Sequence, residues 1–288
     1  MRSRRVLALP LVLLAAAFPA TGLAAGSAGV AALQVGLHAH GLYAGSIDGI
    51  AGPQTAKAVR RLQRRARLTV DGLAGRRTRL ALGRFGRHTL GSRSLRRGLI
   101  GWDVAALQFQ LAEHGFPSGA FDGNFGPHVD TALRRYQEWA GLGVDGIAGP
   151  STLGALTAAP PTAPLALAWP LLQPVIGDRF GPRGNAFHAG IDLPAPSRTP
   201  VYSARSGQVV WAGWRAGGFG YLVTIAHGSG ERTMYAHLSR IDVRVGVWVG
   251  QGVRVGLVGA TGDATGPHLH FEVRMRGAAV DPLQALPH

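Results

Sequence analysis

ATGPHLHFEV, residues 264–273, contains two histidines, His268 and His270, that are separated by one apolar residue. In an α-helix two side chains at this spacing point about 200° apart, whereas in a strand they point to the same face. The aromatic and β-branched residues of this stretch favour a strand. We therefore expect both imidazoles to stand side by side on one face, with Leu269 and Phe271 on the other.

The sequence around this stretch has the same character from Trp169 onward. Short apolar runs are separated by glycines: PVYSA, GQVVWAG, GYLVTIAH, TMYAHL and VRVGLVG. Such runs are typical of strands joined by turns, and they predict an all-β domain of roughly 120 residues. We place this domain at residues 169–286.

Three further polar residues of the β domain are candidate metal ligands or catalytic groups. The segment FHAGIDL holds His188 and Asp192, and TMYAHLS holds His237. The HxxxD segment is read as a loop that enters a strand. Taken singly, each residue is most simply an ordinary surface or core group, but four histidines and one aspartate within a single β domain favour a metal site. Two imidazoles and a carboxylate with one open position suit catalytic zinc, which lowers the pKa of bound water to about 7.

The region before the β domain repeats itself. VAALQVGLHAHGLYAGSIDGIAGP begins at Val30, and VAALQFQLAEHGFPSGAFDGNFGP begins at Val104, 74 positions later. About half of the aligned positions are identical, which indicates two copies of one structural unit. We place the first helical unit at residues 26–84 and the second at residues 95–157.

Each copy is expected to form three helices. Val104, Leu107 and Leu111 form an apolar stripe at helical spacing, and a second stripe begins at Val129. Four Asp-Gly pairs, at 48–49, 71–72, 122–123 and 145–146, are interpreted as tight turns rather than calcium loops, because the ligands are too few for an EF-hand. Pro53, Pro127 and Pro150 suit the first turn of a helix.

The pattern LRRGLIGWDVAALQ…FDGNFGP…ALRRYQ…LGVDGIAGPSTL resembles the peptidoglycan-binding module of wall hydrolases, and the first copy is similar to it as well. The resemblance implies that both units bind peptidoglycan, and it identifies no contacting side chain. After the second unit, TAAPPTAPLALA is rich in proline and alanine, so residues 158–168 are expected to be a semi-rigid linker.

Composition and the N-terminus suggest where the protein acts. Arginines precede the apolar run VLALPLVLLAAAF and small residues follow it, so residues 1–25 are expected to be a cleaved signal peptide. The chain has no cysteine, which excludes disulfides and thiolate chemistry. The net charge of +15 suggests anionic wall polymers as partners, although a GC-rich genome would also enrich arginine. No nucleic-acid-binding motif is present, so no nucleic acid partner is expected.

The motifs HAGIDLPAP, RTPVYSA, YAHLS, GATGDATGPHLHFEV and VDP resemble the lysostaphin/LytM-type zinc metallopeptidases over residues 169–286. The resemblance implies zinc ligands at His188, Asp192 and His270, and catalytic histidines at His237 and His268. The chain departs from the family pattern at Tyr221 and Ala264, where asparagine and serine are usual. Substrate contacts therefore stay open, with Tyr221 and Tyr235 as candidates.

The sequence thus predicts a multidomain protein, with two small all-α units of three helices each followed by an all-β metallopeptidase domain. The expected function is that of a secreted, cell wall-associated zinc endopeptidase that cleaves amide bonds of peptidoglycan. The alternative is a non-catalytic wall-binding scaffold or an activator of another hydrolase, but members of the family that act in this way usually lack ligands. A third interpretation is a basic polymer-binding protein with incidental histidines.

Overall fold

The computed structural model describes residues 26–287, so the predicted signal peptide at residues 1–25 lies outside the described part. A helical region precedes a region of antiparallel strands, as the sequence predicted. The α-helices are α1 (Ala28–Ala39), α2 (Pro53–Arg65), α3 (Arg76–Leu80), α4 (Trp102–Glu113), α5 (Pro127–Trp139) and α6 (Pro150–Ala155). No helix within the described range is both long enough and apolar enough to cross a bilayer.

The predicted turns and helix starts of the two helical units are present. Pro53, Pro127 and Pro150 each open a helix, where the missing N–H costs no hydrogen bond. The glycines of the four Asp-Gly pairs have φ angles of 72°, 80°, 70° and 72°, which glycine adopts without steric cost. Each aspartate accepts a hydrogen bond from the backbone N–H two residues later. The interpretation of these aspartates as turn formers is therefore confirmed.

A buried glutamine, which the sequence analysis did not single out, holds each of these turns. The four residues are Gln34, Gln63, Gln108 and Gln137. In each case the side-chain amide donates to the aspartate at 2.6–2.8 Å, while its carbonyl accepts the backbone N–H of the following glycine. Every polar atom of the glutamine thus has a partner, which offsets the cost of burying it.

The two helical units share a hydrophobic core through α1 and α4. The predicted stripe of α4, which includes Leu107 and Leu111, packs within the second unit. The opposite face of α4, which includes Ala105, Ala106 and Phe109, packs into the core of the first unit. Both α1 and α4 are therefore apolar around most of their circumference, the pattern of a buried helix. The two copies form one body rather than two separate units.

The β region contains one nine-stranded sheet and one two-stranded sheet, and all pairings are antiparallel. The strands are β1 (Gly181–Arg183), β2 (Ala186–His188), β3 (Ile191–Pro194), β4 (Pro200–Tyr202), β5 (Gly207–Arg215), β6 (Gly220–Gly228), β7 (Glu231–Ile241), β8 (Trp248–Val249), β9 (Arg254–Val258), β10 (His268–Met275) and β11 (Ala278–Val280). The main path runs β11-β10-β7-β6-β5-β8, with β3 beside β10 and β9 between β4 and β7. β10 therefore lies inside the sheet, with β7 on one side and β3 and β11 on the other.

The stretch predicted as a linker is only partly a linker. Ala163, Leu165 and Leu167 are buried in the hydrophobic core of the β domain. Backbone hydrogen bonds also join Leu167 N to Ala285 O at 2.8 Å and Ala168 N to Ala204 O at 2.8 Å. The prediction of a spacer over residues 158–168 is thus wrong from Ala163 onward. Every second side chain there is apolar and packs into the core of the β domain.

The helical body contacts the β domain at two hairpins. At the first, the β1–β2 turn accepts backbone hydrogen bonds from both helical units: Ile47 N donates to Gly184 O at 2.8 Å, and Phe121 N donates to Asn185 O at 2.6 Å. At the second, Ala279 N on β11 donates to Gly115 O of the second helical unit at 3.0 Å. The turn of the hairpin that carries His188 is therefore held by both helical units.

Candidate metal centre

β10 presents His268 and His270 on one face, as the sequence predicted. Leu269 and Phe271, on the opposite face, are fully buried in the core of the β domain. Asp192 on β3 lies directly opposite His270 in the antiparallel register, so the carboxylate and the imidazole face each other across the strand pair. Asp192 Oδ1 lies 2.8 Å from His270 Nδ1 and 3.6 Å from His268 Nε2.

His188 reaches the same point from the end of β2. Its Nδ1–H donates to the backbone carbonyl of Arg179 at 2.9 Å, which leaves Nε2 as the nitrogen that faces the site. His188 Nε2 lies 3.1 Å from Asp192 Oδ1 and 3.0 Å from His270 Nδ1. The HxxxD segment was predicted to be a loop that enters a strand. Asp192 lies within strand β3 as predicted, but His188 ends strand β2 rather than lying in a loop.

The three facing atoms fit a divalent cation. His188 Nε2, Asp192 Oδ1 and His270 Nδ1 all lie within 4.8 Å of one another. When His188 Nδ1 and His270 Nε2 carry the ring protons, the inner nitrogen of each ring directs a lone pair to the site beside the Asp192 carboxylate. Such a set requires a positive charge among its atoms, either a proton on an imidazole or a bound cation. Tetrahedral zinc with bonds of about 2.0–2.1 Å places its ligand atoms about 3.3 Å apart. Small outward movements of these side chains would accommodate such an ion.

The second oxygen of Asp192 is held by an arginine. Arg183 Nη1 donates to Asp192 Oδ2 at 2.9 Å and to Asp178 Oδ2 at 2.8 Å. Burial alone would raise the pKa of Asp192, but hydrogen bonds and charge from His188 and His270 outweigh it and hold the pKa far below its usual range. The carboxylate therefore stays ionised, with Oδ1 directed to the imidazoles.

Glu272 orients the other side of His270. Its Oε1 accepts from His270 Nε2 at 3.1 Å, and its Oε2 accepts from Arg274 Nε at 2.7 Å. The carboxyl is fully buried, which disfavours its charge, yet Arg274 and His270 lower its pKa to about 2. Burial also opposes charge on His270, but Asp192 and Glu272 raise its pKa to about 9. Glu272 is thus both a strand salt-bridge residue and a hydrogen-bond partner that orients a candidate ligand from outside.

His237 and His268 form a second pair beside the candidate ligands, with ring centroids 4.7 Å apart. His237 Nδ1–H donates to Thr261 O at 2.7 Å, and His268 Nδ1–H donates to Gly266 O at 2.9 Å. Each ring therefore keeps Nε2 as a proton acceptor. Burial lowers the pKa of His237, which favours its neutral form.

The structure contradicts Tyr235 as a substrate contact. Its side chain is fully buried in the core, where the hydroxyl bonds to Ala204 N and Thr233 Oγ1 at 2.8 Å and 2.9 Å. Regular alternation along β7 would place Tyr235 and His237 on the same face. The alternation fails because His237 has a φ of 59° and the register of β7 shifts beside it.

The candidate ligands line an open cleft with a volume of about 810 Å³. Its lining includes the five histidine and aspartate positions together with Arg183, and Pro117 and Gly119 of the second helical unit. Among the described residues, Tyr221 does not line the cleft. It is exposed, and its ring packs edge-on against Trp214. The helical body therefore supplies part of one wall of the cleft.

Comparison with protein families gives matches in both regions. Residues 186–282 match the sequence profile of peptidase family M23. The β region is an M23 peptidase domain. Residues 26–82 and 101–156 match the profile described as "Putative peptidoglycan binding domain", and these two segments fall within the predicted helical units.

Individual relatives match mainly over the M23 domain. The chain is 42% identical over 125 residues to DD-carboxypeptidase/endopeptidase Mpg of Neisseria meningitidis, covering 41% of this chain and 29% of that protein. It is 44% identical over 98 residues to peptidoglycan DD-endopeptidase ShyB of Vibrio cholerae, covering 34% and 23%. The catalytic domain of the antimicrobial peptidase lysostaphin from Staphylococcus simulans is 34% identical, with a TM-score of 0.37 and coverage of 38% and 90%. The chain thus spans less than a third of the length of the first two relatives.

Proposed function

We propose that this protein is a zinc-dependent peptidase that hydrolyses amide bonds in the cross-links or stem peptides of peptidoglycan. The proposal rests on one observation, the convergence of His188 Nε2, Asp192 Oδ1 and His270 Nδ1 in the lining of an open cleft. The M23 domain supports the reaction class, and the two peptidoglycan-binding matches support the substrate.

We assign the ion to His188, Asp192 and His270, and the proton chemistry to His237 and His268. Zinc, when bound, acts as a Lewis acid towards water and a peptide carbonyl. Each of the two catalytic imidazoles is fixed by its Nδ1–H on a backbone carbonyl, so Nε2 is available to take a proton. A protonated imidazole then donates to developing negative charge or to the leaving nitrogen. Positioned acid–base catalysis of this kind typically contributes about 10²–10⁴-fold in rate.

The remaining parts of the chain would bring the peptidase domain to the cell wall. We propose residues 1–25 as an export signal, residues 26–84 and 95–157 as wall-binding units, and a peptidase domain that begins at Ala163 rather than Trp169 and ends at Leu286. Attachment to peptidoglycan raises the effective substrate concentration without adding catalytic contacts. A secreted, wall-associated location follows from this arrangement.

Two sets of variants test the assignment. His188→Ala, Asp192→Ala and His270→Ala should lose zinc, because each removes one of three ligand atoms. His237→Ala and His268→Ala should retain about one equivalent of zinc yet lose at least about 10²-fold in turnover. Metal content is measured on purified protein, and cleavage is followed by mass spectrometry of fragments from digested peptidoglycan.

Purified protein without zinc near one equivalent would end the zinc assignment. Full zinc occupancy without any cleaved fragment would leave a wall-binding scaffold. Metal loss in the His237 and His268 variants would show that the division into ligands and catalytic groups is wrong.

A further inference from the structure

Helix α2 of the first helical unit has a row of cations on its solvent side. Lys57, Arg61 and Arg65 follow each other at four-residue spacing, and at about 1.5 Å per residue the row is about 12 Å long. Within residues 26–287 no salt bridge involves any cation of this surface. The exposed cations of α2, together called the arginine face, are Lys57, Arg60, Arg61, Arg64 and Arg65.

The second helical unit lacks this feature at the corresponding positions. Residues 74 positions later are Thr131, Arg134, Arg135, Glu138 and Trp139. Arg134 is paired with Asp130 at 3.0 Å, and Arg135 Nη2 donates to Gly277 O of the β10–β11 hairpin at 3.2 Å. The face that is free and cationic in the first unit is thus partly neutralised and used for a contact with the peptidase domain in the second.

The two helical units carry opposite net charges, and codon preference does not explain the difference. Residues 26–84 have ten basic and two acidic residues, a net charge of +8, whereas residues 95–157 have four basic and six acidic residues, a net charge of −2. A genomic preference for arginine codons acts on both copies and cannot produce this difference. Like charges four residues apart weaken a helix, so the arrangement has a cost that folding does not explain.

We propose that the arginine face binds a linear polyanion of the cell envelope whose negative charges are phosphodiesters. The guanidinium fork pairs with two phosphate oxygens at once, and an exposed row of cations suits a chain of evenly spaced charges. Tyr43 of this unit and Phe85 directly after it are both buried, so neither ring is available to stack on nucleic acid bases. Val59 and Leu62, on the apolar side of α2, are buried in the core and cannot enter a membrane.

The test compares two double variants that remove the same charge. Arg64→Gln/Arg65→Gln changes the arginine face, and Arg96→Gln/Arg97→Gln removes two adjacent exposed arginines from the second unit. Binding of the full chain to synthetic poly(glycerol phosphate) is measured by calorimetry at several salt concentrations, beside single-stranded DNA and anionic vesicles of equal charge. The first variant should bind at least tenfold more weakly, with a salt dependence lower by about one unit of slope per lost charge. The second should match the parent within twofold.

Equal losses in both variants, or no loss in the first, would overturn the proposal. Tighter binding of DNA or vesicles than of poly(glycerol phosphate) would overturn it as well, because the face would then serve another class of partner. Zinc content and cleavage of a soluble muropeptide are measured in parallel and should be unchanged. The polyanion site can therefore fail while the peptidase assignment stands, and the reverse also holds.

Discussion

The carboxylate of Asp192 uses its two oxygens for different tasks. Oδ1 faces the imidazoles at 2.8 Å and 3.1 Å, while Oδ2 accepts from Arg183 at 2.9 Å. Sequence reasoning found the aspartate but not the arginine, because the segment FGPRGN looks like an ordinary turn until the β1–β2 hairpin places it over the site. Hydrogen bonds from outside the ligand set commonly change metal affinity by about 10–100-fold.

Arg183→Ala should therefore weaken zinc binding by about 10–100-fold, since Asp192 loses the partner that orients it. Arg240→Ala is the matched control, because it removes an ion pair of similar exposure, 54% against 52%, with Asp242. Zinc affinity is measured by competition with a chelator. Arg183→Lys keeps one donor and should be intermediate. Equal affinities for Arg183→Ala and the control would show that Arg183 does not position the ligand.

The candidate site residues could be predicted from the sequence because they lie in the motifs that resemble the metallopeptidases. Strand alternation also places His268 and His270 on one face. His188, Asp192 and His270 converge, and His237 and His268 lie beside them, as the sequence suggested. Tyr235 was misassigned for a physical reason: alternation assumes regular extended backbone, and the positive φ of His237 breaks it. No local sequence signal marks such a break.

At the scale of elements, the predicted helices and turns are present. The sequence predicted only one of the two packing faces of α4. One apolar stripe of α4 was identified, and it packs within its own unit. The other side, with Ala105 and Ala106, was not read as a stripe because alanine is common on helix surfaces too. What covers that side is α1, and a single sequence does not show which helix does so.

Glu113, the last residue of α4, is a partly buried carboxyl whose burial can be tested through pH. Burial raises the pKa of its carboxyl, and a carboxylate at a helix C-terminus is also disfavoured by the helix dipole. An acid with a raised folded-state pKa stabilises the fold at low pH and loses that contribution as pH rises through the raised value.

Glu113→Gln should consequently raise the unfolding temperature at pH 8 relative to the parent, and the difference should vanish below about pH 4, where the unfolded-state carboxyl is also protonated. Glu138→Gln, on the exposed side of α5, removes the same charge and serves as control. Thermal unfolding is followed by circular dichroism from about pH 3, below the pKa of an unfolded glutamate, to pH 8. A parallel change in both variants would point to net charge rather than burial.

At the scale of the whole molecule, the helical body packs directly against the M23 domain instead of being joined to it only by a spacer. Both units hold the turn of the β1–β2 hairpin, and Pro117 and Gly119 of the second unit line the cleft. The sequence predicted two binding units on a spacer because proline and alanine are typical of spacers. The contacts that decide otherwise join backbone atoms such as Gly115 O and Ala279 N, which have no sequence signature.

The last prediction concerns this attachment. Arg276 Nη2 donates to Trp139 O at 2.7 Å, and its guanidinium lies 5.6 Å from the Trp139 ring centroid. Arg276→Gln removes both contacts and should weaken the attachment by about 1–2 kcal/mol, which hydrogen exchange would detect as faster exchange of the Ile47, Phe121 and Ala279 amides that donate across it. Arg232→Gln, an exposed change on the neighbouring strand β7, should leave the exchange of these amides unchanged. Unaltered exchange in Arg276→Gln would mean that the backbone contacts hold the two regions together without it.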